Sequence, residues 1–224
     1  MILGKNAVLV CFGDSITQGD ATGGYVGLLR NFLTAGYPER NIRVVNAGIG
    51  GNRTPDLLAR LDKDVIARKP NVVLINIGVN DVGWGFDEFN PRREFPAGDG
   101  PLGVPLNVYE NNLGELADRL REGTDAEIIF ATPTILGEDI DSPDSLRNIR
   151  LREYVAAMRR VAEAKSAILA PTHEDFTQTL RAGKSVNPEF SLTNDGVHMT
   201  PAGNAALALT ILTTLGFGGL GSES

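Results

Sequence analysis

Along the chain, short unbroken apolar runs alternate with stretches whose apolar residues recur every three or four positions. Ala7-Val8-Leu9-Val10-Cys11-Phe12 is the first run, closed by Gly13 and Asp14, and predicts a buried strand that stops abruptly. Tyr25, Leu28, Leu29 and Phe32 then fall on one face of a helix that Gly36 can end. Ile42 to Asn46 predicts a second strand, and Thr54-Pro55-Asp56 a helix start, with the Thr54 hydroxyl as cap and Leu57, Leu58, Leu61 and Val65 on the inner face. Val72 to Ile77 is almost wholly apolar, as expected of a strand covered on both faces. A helix through Leu113, Leu116 and Leu120, a strand over Glu127–Ala131, a helix through Leu151, Val155, Met158 and Ala162 and a short strand over Ala167–Ala170 follow. A last helix opens at Thr200-Pro201 and runs towards Gly216.

Five short strands separated by helices of about ten residues or more require crossover connections, hence a mainly parallel sheet with helices on both faces. The fold class is α/β, a three-layer α/β/α sandwich, in one domain spanning 1–224. Two stretches break the alternation. Residues 82–107 carry Pro91, Pro96, Pro101 and Pro105 among glycines and aromatics, and predict a loop overhanging the strand ends. Thr132 to Ser145 is also irregular, and 216–224 reads as a frayed tail.

Charge narrows the partners. With 21 basic against 28 acidic residues and no basic run, the chain lacks the footprint of a nucleic-acid binder. No run of about 18 apolar residues predicts a membrane span. The lone cysteine, Cys11, lies within the first strand and has no partner for an internal disulfide. These features predict a cytoplasmic protein, or a secreted one if a leader has been removed.

The chemistry concentrates at strand ends, where open α/β sheets bind ligands. Ser15 follows the first strand by two residues and is placed to be a nucleophile. The same position suits a turn former or a helix cap. Of the two histidines, His198 has Asp195 three residues before it across Gly196, a spacing that can set the carboxylate against Nδ1 and leave Nε2 to accept a proton. The segment also reads as a plain turn. His173, beside Glu174 and Asp175, is an alternative base, or part of a helix start where acidic residues complement the dipole. The glycines of Gly48-Ile49-Gly50-Gly51-Asn52-Arg53 let backbone N–H groups approach a substrate, with Gly51 the natural donor and Asn80 able to add its side-chain amide. A dinucleotide site is the competing reading. The last glycine of that fingerprint is missing, and basic Arg68 and Lys69 stand where an acidic residue is needed.

Four stretches together, Gly13-Asp14-Ser15-Ile16, Asn46-Ala47-Gly48-Ile49-Gly50-Gly51-Asn52, Gly78-Val79-Asn80-Asp81 and Asp195-Gly196-Val197-His198, resemble the GDSL-type hydrolases of the SGNH superfamily. They lie in that family's order and span nearly the whole chain, with Ile16 where the family name has Leu. The resemblance implies a flavodoxin-like strand order, 2-1-3-4-5, and a carboxylic ester hydrolase needing no metal or organic cofactor. It implies that Ser15 is the nucleophile, His198 the general base, Asp195 its orienter, and Gly51 and Asn80 the oxyanion donors beside the Ser15 N–H. Asp14, Trp84 and Phe86 are candidates to meet the substrate. With no long hydrophobic stretch to line a lipid tunnel, a short acyl group, acetyl above all, on a carbohydrate or other small alcohol is expected. The alternatives are a lysophospholipase or thioesterase for longer chains and a non-catalytic binding module on the same fold.

Overall fold

The computed structural model describes residues 1–83 and 103–217. Its sheet consists of β1 (Val8–Gly13), β2 (Arg43–Gly48), β3 (Val72–Asn76), β4 (Glu127–Ala131) and β5 (Ile168–Ala170), in the order β2-β1-β3-β4-β5 with every neighbouring pair parallel. This is the expected α/β/α architecture and strand order. All five residues of the central β3 are buried, which explains its continuous apolar run. Gly13 pairs with Gly48 on one side and Asn76 on the other, and Asn76 with Ala131, so the strands end level. The segments leaving them, which carry Ser15, Gly51 and Asn80, emerge along one edge.

Two sets of helices cover the sheet. α2 (Gly24–Gly36) packs on α8 (Pro201–Thr214), which packs on α7 (Thr172–Val186). On the other face α3 (Thr54–Asp64) packs on α5 (Leu106–Gly123) and α5 on α6 (Leu146–Ala164). Tyr25, Tyr109, Tyr154, Phe12 and Phe130 are the largest side chains wholly withdrawn from solvent. Among the described residues no helix is long and apolar enough to cross a membrane.

The structure amends the sequence reading in several places. Single-turn helices α1 (Ser15–Gln18) and α4 (Val79–Val82) follow β1 and β3 directly, and one turn is too short to display a period. Thr54 does not cap α3. It is the first helical residue, and its hydroxyl donates instead to Asp81 Oδ1 at 2.7 Å, while Asp56 Oδ2 accepts the Arg53 N–H. His173 falls in the first turn of α7 with Glu174 and Asp175, the helix-start reading. α5 begins at Leu106, inside the stretch read as loop up to Asn107, and Trp84 and Phe86 lie outside the described residues. Gly216 and Phe217 are not frayed: Phe217 is buried and packs edge-on against Tyr37, with centroids 4.8 Å apart.

Candidate active site

Ser15 opens α1, so its own N–H is one of those that a helix leaves unused. Asp14 is the N-cap, its Oδ1 accepting the Ile16 N–H at 2.9 Å. Asn46, two residues before the end of β2, holds the far end of the turn through Nδ2, which donates to the carbonyls of Thr17 and Gln18 at 2.8 and 3.2 Å. Gly48 is pressed against this turn; a Cβ there would lie 2.1 Å from Gln18 N. Only glycine lets β2 and α1 approach so closely.

His198 comes from the turn between a short antiparallel bridge, Thr193 with Met199. Asp195 Oδ1 accepts the N–H groups of Val197 and His198 at 3.0 and 2.7 Å, which folds the turn, and its Oδ2 lies 2.7 Å from His198 Nδ1. A carboxylate there selects the tautomer protonated on Nδ1. His198 Nε2 is then an acceptor, and it stands 3.0 Å from Ser15 Oγ. Burial works to raise the Asp195 carboxyl, but the hydrogen bonds from the His198 ring and backbone and from Val197 outweigh it and hold it below the usual carboxylate range.

The turn is held from beneath by Glu138. Its Oε1 accepts from Ser191 Oγ, Thr193 Oγ1 and the N–H groups of Leu192 and Thr193, each at 2.8 Å, and Gly137 N–H donates to Gly196 O. Burial opposes ionisation of Glu138, and these donors more than compensate, so its carboxyl is also held low. Asn148 Nδ2 in turn donates to the carbonyls of Leu136 and Gly137 at 3.0 Å.

The donor candidates lie across from His198. Gly51 has φ +77° and no atom within 4 Å of where a Cβ would stand; neighbouring Gly50 donates to Gln18 Oε1 at 2.8 Å. Asn80 is buried, with Nδ2 donating to Asn52 O at 3.0 Å and 3.5 Å from Asp14 Oδ2. Asp14, expected to meet the substrate, faces the interior instead and is 1 % exposed. It is one of two buried carboxyls under the site. Burial pushes Asp14 up to about 7, with the charge of Asp81 adding and the Ile16 N–H opposing. Burial pushes Asp81 up to about 6, against the bonds from Thr54.

Beside Ser15 and His198 opens a cleft of about 310 Å³ whose lining includes Gln18, Asp20, Asn194 and Asn204. Besides the Ser15 hydroxyl and the His198 ring its polar groups are amides and one carboxylate, and Ile16 and Met199 add apolar surface. Among the described residues no group of three or more His, Cys, Asp or Glu side chains is placed to hold a metal ion. The sequence reading missed Asn46, Glu138 and Asn148. Asn46 had a signal, a polar side chain closing an apolar strand; Glu138 lay in an irregular stretch with none.

Residues 11–206 match the model of the GDSL-like lipase/acylhydrolase family. The chain belongs to this family. It is a carboxylic ester hydrolase. The acetylxylan esterase of Geobacillus stearothermophilus is 33% identical over 97% of both chains. The crystal structure of that organism's acetylxylan esterase Axe2 superposes with a TM-score of 0.80 at 32% identity, covering 97% of this chain and 98% of Axe2. LAE5, described as an α/β hydrolase enzyme from the metagenome of Lake Arreo, is similar to the same degree: TM-score 0.80, 32% identity, 99% of this hydrolase and 100% of LAE5.

Proposed function

We propose that this hydrolase removes acetyl groups from carbohydrate esters through an acyl-enzyme on Ser15. The observation that carries the reading is the relay Asp195 Oδ2, His198 Nδ1, His198 Nε2, Ser15 Oγ, with successive gaps of 2.7 and 3.0 Å. His198 takes the Ser15 proton as Oγ attacks the ester carbonyl. Asp195 keeps the ring oriented and stabilises the imidazolium that forms. The negative charge that develops on the carbonyl oxygen falls to the N–H groups of Ser15 and Gly51 and the Asn80 amide, whose plane the bond to Asn52 fixes. His198 returns its proton to the leaving alcohol, and water then repeats the sequence on the acyl-enzyme.

For the substrate, the cleft beside the relay supports a polyol. Amides and a carboxylate match sugar hydroxyls, which both donate and accept, and Ile16 and Met199 offer apolar surface to a sugar ring. The relatives named as acetylxylan esterases favour the same substrate class, and replacing a serine, an aspartate or a histidine in Axe2 gives in each case a catalytic mutant. Trp84 and Phe86, which lie outside the described residues, are proposed from the sequence to meet the substrate. The cytoplasm is the compartment proposed, with secretion as the alternative; a lone buried thiol such as Cys11 fits both.

The test is a 4-nitrophenyl ester series from acetate to palmitate together with acetylated xylo-oligosaccharides, with Ser15→Ala as blank. Rates that peak at acetate, and Ser15-dependent acetate release from the sugar, support the reading. A peak at eight carbons or more would move the enzyme to lipid or thioester substrates.

A further inference from the structure

One guanidinium in α3 touches the segments that carry Ser15 and Gly51 and reaches Asn80 through Asn52, and we propose that Arg60 is the positioning residue of the oxyanion hole. The proposal rests on the reading of Ser15, Gly51 and Asn80 as those donors. Arg60 Nη2 donates to Gly13 O at 2.8 Å, two residues before Ser15. Nη1 donates to Ala47 O at 2.8 Å, where β2 ends, and Nε to Asn52 Oδ1 at 2.7 Å, immediately after Gly51. The carbonyl of that same Asn52 holds Asn80 Nδ2 at 3.0 Å. Gly13 O also accepts the Ile49 N–H at 3.1 Å, and Asn52 N–H donates to Ile49 O at 3.2 Å, so the loop is knotted to the nucleophile's strand at its middle as well.

The consequence for Gly51 is specific. It has a positive φ and nothing within 4 Å of a notional Cβ, so the space beside its Cα is open. The direction of its N–H is set by the anchors that flank it: Gly50, whose N–H donates to Gln18 Oε1 at 2.8 Å, and Ala47 and Asn52, both of which Arg60 holds. The guanidinium is itself fixed. It lies over the Phe12 ring, 4.4 Å from the centroid, pairs with Asp64 Oδ2 at 3.1 Å one turn along α3, and has a side chain 13% exposed. A planar fork with donors in three directions can reach two backbone carbonyls and the Asn52 side chain at once; an ammonium cannot. Lysine has the same charge and nearly the same helix propensity, so Arg60→Lys removes the fork and little else.

The experiment measures Arg60→Lys, Asn80→Ala and the double variant on a 4-nitrophenyl acetate assay, with backbone amide hydrogen exchange on wild type and Arg60→Lys. A displacement of about an ångström at a catalytic group costs on the order of 10²-fold, so kcat in Arg60→Lys should fall about that far with KM within roughly threefold. Because both residues serve one oxyanion, the double variant should lose less than the product of the single losses. Exchange of the Ile49 and Asn52 amides should quicken. A kcat within about threefold of wild type, strictly multiplicative losses, or unchanged exchange at Ile49 and Asn52 would overturn the proposal. If the wild-type protein hydrolysed no ester, the esterase reading would fail alone, and exchange would decide the anchoring by itself. Should Arg60→Lys not fold, Asn52→Ala removes one arm of the same knot, and a kcat loss of about tenfold or more decides in favour, a smaller one against.

Discussion

Replacing Asp195 with Asn is the perturbation whose effect the geometry specifies best. Asp195 makes three contacts: two to backbone N–H groups through Oδ1 and one to His198 Nδ1 through Oδ2. An asparagine can keep both backbone bonds through its carbonyl oxygen, so the turn stays folded. Its amide nitrogen must then sit opposite Nδ1 and donate, which forces the imidazole proton onto Nε2. That proton would point at Ser15 Oγ across the 3.0 Å gap, where the mechanism needs an acceptor. Loss of the correct tautomer in a serine relay costs up to about 10⁴-fold in kcat. The Asp195 side chain is 49% exposed, so water can reach the pair and soften the penalty, which places the expected loss at about 10³-fold, or ~4 kcal/mol of barrier. The assay is kcat on 4-nitrophenyl acetate alongside the melting temperature. A stable Asp195→Asn protein with kcat within about tenfold of wild type would refute the assigned role of Asp195.

Two further outcomes are expected. Glu138→Ala removes the acceptor shared by four donors of the 191–193 segment; Ser191 Oγ keeps Thr193 O and the Thr193 N–H keeps Ser191 Oγ, but the Leu192 N–H and the Thr193 hydroxyl lose their partner, so it should cost about 2 kcal/mol or more of stability and lower kcat by loosening the His198 turn, whereas Glu138→Gln should cost less; equal denaturation midpoints for Ala and wild type would contradict this. Stability should also carry a signature of Asp14 and Asp81. Both carboxyls are raised in the folded protein, so between pH ~4 and 7 the unfolded chain binds fewer protons than the native one, and their contribution to stability falls as pH rises through about 6 and about 7. Asp14→Asn, which can still accept the Ile16 N–H, should therefore gain melting temperature relative to wild type on going from pH 5 to pH 8; a difference that stays constant with pH would count against the buried ionisation.

Much of this architecture could be read in the residues because the central strands are wholly covered. β4 came out as Glu127–Ala131 from its apolar run alone. The resemblance carried the strand order, since spacing distinguishes a parallel sheet from a hairpin but not one crossover sequence from another. What escaped was either too short to be periodic, as α1 and α4 are, or set by contacts across the chain. Thr54 has the local credentials of a cap, yet Asp81, 27 residues on, takes its hydroxyl because a buried carboxylate needs donors more than an exposed helix end does. Asp14 likewise looked exposed beside Ser15, and the N-cap geometry turns it inward. Ser15, Asp195 and His198 were legible as types at strand ends and in a turn. The separation of 183 positions between Ser15 and His198 left their meeting to be seen in three dimensions. Glu138 and Arg60 matter through what they hold, and no local pattern records that.

The central claim is that Ser15, activated by His198, forms the covalent intermediate. Intact-mass and peptide analysis after treatment with an organophosphonate ester tests it most directly. One adduct per chain, on Ser15, with esterase activity lost in proportion and labelling suppressed in His198→Ala, is the predicted result. Full activity after labelling, or an adduct on another residue with Ser15 unmodified, would contradict it.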